Sequence, residues 1–131
     1  MQFTVEHIGL PARDTGALKD WYVRTLGGKM VFTDGQTPPI FFVQLSGAIF
    51  EIYQSNRSLP DTTDNKLAGF RHIALRVDSI EAAKAELEKR GVKFTEQIRP
   101  AAGGGRVLFF QDLEGNLLHL LERPANFAFK L

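Results

Sequence analysis

The sequence predicts an α+β fold made of two tandem βαβββ modules, and three observations carry that prediction. The first is an internal repeat. Glu6-His7-Ile8-Gly9-Leu10 matches Arg71-His72-Ile73-Ala74-Leu75 at an offset of 65, and Gly47-Ala48-Ile49-Phe50-Glu51-Ile52 matches Gly115-Asn116-Leu117-Leu118-His119-Leu120 at an offset of 68. Order is kept, and small loop changes absorb the three-residue difference, so one unit is used twice. The second observation is periodicity: each half offers one helical stripe among segments of strand character. The third is punctuation, with glycine and proline clusters falling between those segments in both halves.

In the first half, residues 3–10 read as a strand. A helix follows from Asp14 to Leu26, with the stripe Ala17, Leu18, Trp21, Tyr22, Leu26. Asp14 suits the N-cap and Gly27-Gly28 the stop. Strands are expected over 29–33, 40–45 and 48–54, separated by Gly35, Pro38-Pro39 and Ser46-Gly47. The second half repeats the plan. A strand covers 70–77, and a helix opens at Asp78 or Ser79, carries Ala82, Ala83 and Leu87, and ends at Gly91. Strands over 92–98, 106–111 and 116–122 complete it. Within one domain, module one spans about 1–54, a polar linker about 55–68, module two about 69–123 and a tail 124–131.

Composition narrows the function. Eleven phenylalanines and 44% hydrophobic residues among 131 can fill a real core, so a folded domain is expected. Sixteen Lys and Arg against fifteen Asp and Glu leave a net charge of +1, with no basic run to track a phosphate backbone; nucleic acid is not an expected partner. Zero cysteines exclude a disulfide framework, a thiolate zinc site and a cysteine nucleophile, and fit a reducing compartment. No apolar run approaches the roughly 18–20 residues that cross a bilayer, so no membrane partner is expected. Met1-Gln2-Phe3-Thr4-Val5 lacks the basic head and apolar stretch of a secretory signal. The expected location is the cytoplasm.

Strand parity then assembles a candidate site. Side chains two apart share a sheet face. Ile8 and Leu10, with Phe50 and Ile52, suit the face that a helix covers, which leaves His7 and Glu51 on the open face. The repeat puts His72 and His119 in the same two places, opposite Leu118 and Leu120. Two such modules side by side about a pseudo-twofold axis make a half-open barrel. Three imidazoles and one carboxylate would then meet on its inner wall. That donor set suits zinc, nickel, iron(II), cobalt or manganese and disfavours calcium, which prefers oxygen. All three histidines of the chain fall at repeat-related positions of matching parity. A carboxylate between Phe50 and Ile52 is costly to bury unless paired or metal-bound.

The ordered combination resembles the vicinal oxygen chelate superfamily, the glyoxalase, bleomycin resistance and extradiol dioxygenase group. Strand-histidine, a helix with Trp21-Tyr22 and Leu26-Gly27, strand-glutamate and strand-histidine follow one another. Asp112-Leu113-Glu114-Gly115-Asn116-Leu117-Leu118 looks like the family's closing Asp-x-x-Gly-Asn signature. The resemblance runs from Phe3 to about Glu122. It implies a homodimer and a divalent metal ion that chelates neighbouring oxygens of a small-molecule substrate, in an isomerase or lyase reaction. Glu51 and His119 are the implied catalytic pair. One departure is His119, where the family's last strand usually carries glutamate. Three histidines, one glutamate and a divalent cation carry about one positive charge, making a stronger Lewis acid than the neutral set of two histidines and two glutamates. A second departure is Pro11, where glyoxalase I of the bacterial kind carries a glutathione-gripping arginine. The resemblance also keeps open an iron(II) extradiol-type dioxygenase and a non-catalytic, antibiotic-type binding protein.

The substrate-facing candidates are Phe42 or Phe41, Tyr53, Phe109 or Phe110, Leu117 and Leu121, because ligand pockets are mostly apolar with a few polar groups. Arg106, at the end of the glycine-rich Arg99–Arg106 segment, is the candidate for a substrate anion. The tail alternates Phe127, Phe129 and Leu131 and could pack on the second module or on a neighbouring subunit.

Overall fold

A computed structural model describes residues 1–131 and divides the chain into two compact units, each holding one four-stranded sheet. The first unit comprises Met1–Pro60 with Asp112–Glu114, and the second comprises Asp61–Gln111 with Gly115–Leu131. The fold is mixed α+β.

In the first unit, β1 (Ile8–Ala12) leads into α1 (Thr15–Leu26), and β2 (Lys29–Thr33), β3 (Phe41–Leu45) and β4 (Ala48–Gln54) follow as an antiparallel meander. The sheet order is β1-β4-β3-β2, with β1 parallel to β4. A parallel pair needs a long crossover, and α1 begins it. Asp14 caps that helix, its side chain accepting from the Ala17 N–H at 2.9 Å. Thr15, Leu18, Tyr22 and Thr25 are its buried residues, spaced three and four apart as one helix face requires. The expected stripe had placed Trp21 and Leu26 in the core; both are only half-buried, and the two threonines take those places. Gly27, at φ 73°, ends the helix. Gly28 is needed for close approach, since a Cβ there would lie 2.9 Å from Val43 Cγ1 and 3.1 Å from the Tyr22 carbonyl oxygen.

The second unit repeats the plan with β5 (His72–Arg76), α2 (Ile80–Lys89), β6 (Arg99–Pro100), β7 (Arg106–Gln111) and β8 (Leu117–Glu122), in the order β5-β8-β7-β6. Ser79 caps α2, its hydroxyl accepting from the Ala82 N–H. Ile80 and Leu87 of that helix are buried, as are Leu108, Phe110, Leu118 and Leu120 of the sheet.

Two strands differ from expectation. The first strand begins at Ile8 rather than residue 3, so Phe3 and Val5 are exposed. Its partner explains this: Ile8 pairs with Phe50, and β4 begins at Ala48, so residues before Glu6 have nothing to pair with. The strand expected over 92–98 is absent, and β6 is the two-residue Arg99–Pro100. Side-chain packing holds the segment instead, with Phe94 against Phe110 at 5.5 Å and Lys84 over the Phe94 ring. Pro100 also lacks the N–H to extend a ladder.

The glycine-rich segment closes the β6–β7 hairpin, with the Ala101 N–H donating to Gly105 O and the Gly104 N–H to Ala101 O. A Cβ at Gly105 (φ +95°) would sit 1.9 Å from the Glu122 carbonyl oxygen. Gly105→Ala therefore combines a backbone clash with a strained φ, which alone costs about 1–3 kcal/mol. Gly104→Ala shares the strained φ (+99°) but meets only the Pro124 ring, at 3.5 Å, so the two variants differ by the backbone clash. Urea unfolding is expected to show the Gly105 variant clearly less stable than the Gly104 variant; equal midpoints would contradict this account of the turn.

Candidate metal centre

Register confirms the parity on which the site was built. Gly9 pairs with Glu51 and Phe42 with Glu51; in the second unit Ala74 pairs with His119 and Phe109 with His119. The two units thus place Glu51 and His119, and Phe42 and Phe109, at matching sheet positions; His72 opens β5, and His7 lies one residue before β1. Tyr53 and Leu117 share those open faces, two residues along from Glu51 and His119.

In the first unit, His7 Nε2 lies 3.9 Å from Glu51 Oε1. Its Nδ1 is 2.9 Å from Glu6 Oε1, and its ring meets Phe42 edge-on at 5.3 Å. With Nδ1–H donating to Glu6, the Nε2 lone pair faces a carboxylate. Two acceptors in that relation attract a cation or a proton. Gly9 lets Tyr53 lie across the strand, because a Cβ there would be 3.2 Å from the Tyr53 ring.

The second unit pairs His72 with His119 at 4.6 Å between ring centroids, with Phe109 4.7 Å from His119 and 5.8 Å from His72. His72 Nδ1 is 2.8 Å from Asn65 Oδ1. An Nδ1–H held by an oxygen fixes the tautomer and presents Nε2 outward, the usual support of a metal-ligating histidine. His119 is 7% exposed, and neither ring nitrogen has a hydrogen-bond partner. Leaving a buried polar group unpaired costs about 1–3 kcal/mol. Burial, then the charges of His72, Arg123 and Arg99, lower its pKa to about 4. A neutral, desolvated imidazole with free nitrogens is a ready ligand, so the residues fit a divalent cation.

The four side chains form two pairs, one in each unit. The chain groups no three His, Cys, Asp or Glu side chains as a metal cage.

The depressed pKa sets a pH dependence. Between about pH 4 and 6.5 the unfolded chain binds a proton at His119 that the metal-free folded chain does not. Stability is therefore lost as pH falls from 6.5 toward 4, and this group takes no more below that. Metal-free protein is expected to lose more stability over that window than His119→Gln does. Parallel losses would contradict the assignment.

Arg106 stands elsewhere. It pairs in register with Glu122 and is bonded to Glu81 at 2.7 Å and Glu122 at 3.0 Å, on the helix-covered face. Its fork is occupied: Glu81 is held at a pKa of about 2 by Arg106, and Glu122 also accepts from the Ile80 N–H at the start of α2. The expected substrate contact gives way to a structural clamp. Sequence reasoning also missed Glu6, Asn65 and Arg99. Arg99 lies 5.0 Å over the Phe109 ring.

The Asp-x-x-Gly signature has a structural role. Asp112 accepts from the Tyr22 hydroxyl at 2.8 Å and from the Glu114 N–H at 2.9 Å, while Glu114 accepts from Arg13 Nε at 2.9 Å. Burial, then Asp112, raises the Tyr22 pKa well above its ordinary value. A shallow pocket is lined by the consecutive linker residues Asn56–Pro60, none of them His, Asp or Glu. No helix is long and apolar enough to cross a membrane.

Comparison with known proteins gives a consistent picture. The Bacillus subtilis (strain 168) protein YwkD, described as uncharacterized, is 29% identical over 129 residues, covering 92% of this chain and 97% of its own. A glyoxalase family protein from Enterococcus faecalis superposes with a TM-score of 0.76 at 26% identity, covering 91% of this chain and 97% of that one. A point mutant of the fosfomycin resistance protein FosX from Listeria monocytogenes, complexed with Mn(II) and 1S,2S-dihydroxypropylphosphonic acid, shares the fold. Its TM-score is 0.71 at 20% identity, covering 95% and 94% of the two chains. The family model for the glyoxalase/bleomycin resistance protein/dioxygenase superfamily matches residues 4–120. With that match spanning most of its length, the chain belongs to the glyoxalase/bleomycin resistance protein/dioxygenase superfamily.

Proposed function

We propose that the protein is a metal-dependent enzyme of the vicinal oxygen chelate type, an isomerase or lyase acting on a small substrate with adjacent oxygens. His7, Glu51, His72 and His119 would hold one divalent cation of the zinc, nickel, iron(II), cobalt or manganese group. The observation that carries this reading is His119, buried with both nitrogens unpartnered beside a His72 whose Nδ1 is held by Asn65. When bound, the metal supplies Lewis-acid polarisation of substrate oxygens. The chain's own groups do the rest. His119, with its pKa near 4, stays neutral at physiological pH and acts as a ligand rather than a base. Glu51, whose side chain is 27% exposed, is the group suited to take a substrate proton and return it. Phe42, Tyr53, Phe109 and Leu117 bound the substrate on apolar surface and exclude water.

Manganese binding in the FosX complex supports a divalent cofactor on this fold. A homodimer is part of the proposal, supported by the exposed Met30, Val31 and Phe32 of β2; sedimentation showing only monomer would remove it. A cytoplasmic location is part of the proposal; a chain with no disulfide to be reduced is compatible with it.

The test is to strip the protein, titrate each of the five cations by calorimetry, and assay each loaded form on hemithioacetals, α-hydroxy ketones and epoxides, each with and without an anionic group. Tight binding with turnover dependent on one cation is expected. Tight binding without turnover in any loaded form would reject the enzyme reading, and no binding would reject the metal.

A further inference from the structure

The open face of the second sheet is one-sided in charge. Its strand positions are His72, Ala74 and Arg76 on β5, Leu117, His119 and Leu121 on β8, Val107, Phe109 and Gln111 on β7, and Arg99 on β6. Two are arginines and none is a carboxylate. Arg76 pairs with Leu121, Leu121 with Val107, and Val107 with Arg99, so the arginines end one row, two residues along from the His119–Phe109 row. Three strand spacings, roughly 14 Å, separate their backbones, a gap two long side chains can close around a small molecule.

The other arginines near this sheet are occupied. Arg106 is clamped by Glu81 and Glu122, and Arg123 donates to the carbonyls of Ala102 and Gly104. Arg76 and Arg99 are exposed and make no side-chain hydrogen bond or ion pair. Arg99 is nevertheless oriented, its guanidinium lying 5.0 Å over the Phe109 ring, which itself packs on His119. A guanidinium held over an aromatic face by cation–π attraction, with no carboxylate on its fork, keeps N–H donors available to take an oxyanion. The apolar floor of Val107, Phe109 and Leu117 lowers the local dielectric and strengthens such a contact.

We infer that the ligand carries a permanent anionic oxygen group, a carboxylate or a phosphate-type group, which docks on Arg99 above Phe109 with Arg76 supplying a second charge. This deepens the function proposed above and rests on it in one respect: the His72–His119 pair, beside this anion site, is where the chemistry occurs. The face is then divided between an oxygen-handling end and an anion-gripping end, excluding neutral diols and neutral carbonyl compounds as best substrates.

Calorimetry on metal-stripped and metal-loaded protein, with methylphosphonate, glycolate and neutral ethylene glycol as probes, tests this. Either anion is expected to bind and ethylene glycol not, the tighter anion identifying the group. Arg99→Gln is expected to weaken that binding about ten- to a hundredfold, the range of a charge-assisted bidentate contact. Arg99→Lys, which keeps charge without the fork, falls between. The Arg76→Gln, Arg99→Gln double variant loses more, and Arg24→Gln on α1 binds as wild type. Each variant is also titrated with the divalent cation, whose affinity should not change. Anion binding by the double variant equal to wild type, or ethylene glycol binding as tightly as the anions, overturns the anion site whatever the metal does. No cation binding by the wild-type protein with the anion response intact overturns the metal reading alone.

Discussion

His119→Ala and His72→Ala are each expected to weaken divalent-cation binding by more than about a hundredfold, measured by calorimetry on stripped protein. The scale comes from support residues, whose loss typically costs about 10–100-fold; a direct ligand must exceed it. Asn65→Ala is the internal calibration. It removes the oxygen that holds His72 Nδ1, at 2.8 Å, without touching a donor atom, so a loss within that lower range is expected. His119→Ala is informative in a second way. It removes a buried imidazole whose nitrogens have no protein partner, so metal-free stability should change far less than metal affinity. Large destabilisation with unchanged metal affinity would mark His119 as core.

Tyr22→Ala is expected to destabilise the protein by about 3–5 kcal/mol in urea unfolding, the range for removing a large buried ring. Tyr22 is fully buried, stacks on Phe50 at 6.0 Å and donates to Asp112 at 2.8 Å. Tyr22→Phe separates these roles. It keeps the ring and removes one donor from a carboxylate that is 7% exposed, an expected cost of about 1–3 kcal/mol. Equal losses in the two variants would show that the hydroxyl, not the ring, carries the effect. The comparison bears on function because the Asp112–Glu114 turn leads straight into β8, the strand of His119.

What the sequence disclosed follows the period of its elements. A strand alternates strictly, so the parity of Glu51, His72 and His119 could be read from neighbours such as Phe50, Ile52, Leu118 and Leu120, and the register agrees; His7 falls one residue before its strand. The same rule places Arg106 on the face opposite Phe109, since the two differ in parity on one strand. Asn65 had no such signal. It reaches His72 from a polar linker seven residues upstream, and no periodicity encodes that contact. The start of β1 was equally hidden, because it depends on where β4 begins. Thr15 and Thr25 entered the core by geometry, their positions completing the face of Leu18 and Tyr22 where hydrophobicity alone had pointed to Trp21 and Leu26.

The central claim is that the two pairs serve one cation. Bound metal per chain, measured by elemental analysis after equilibration with a small excess of the preferred cation and removal of free metal, tests it with wild type, His7→Ala and His119→Ala. A single shared site predicts about one cation per chain in wild type and a comparable large loss of affinity in both variants, because each removes one of the same four donors. Retention of tightly bound metal by either variant would contradict it, and so would a wild-type protein that takes up none.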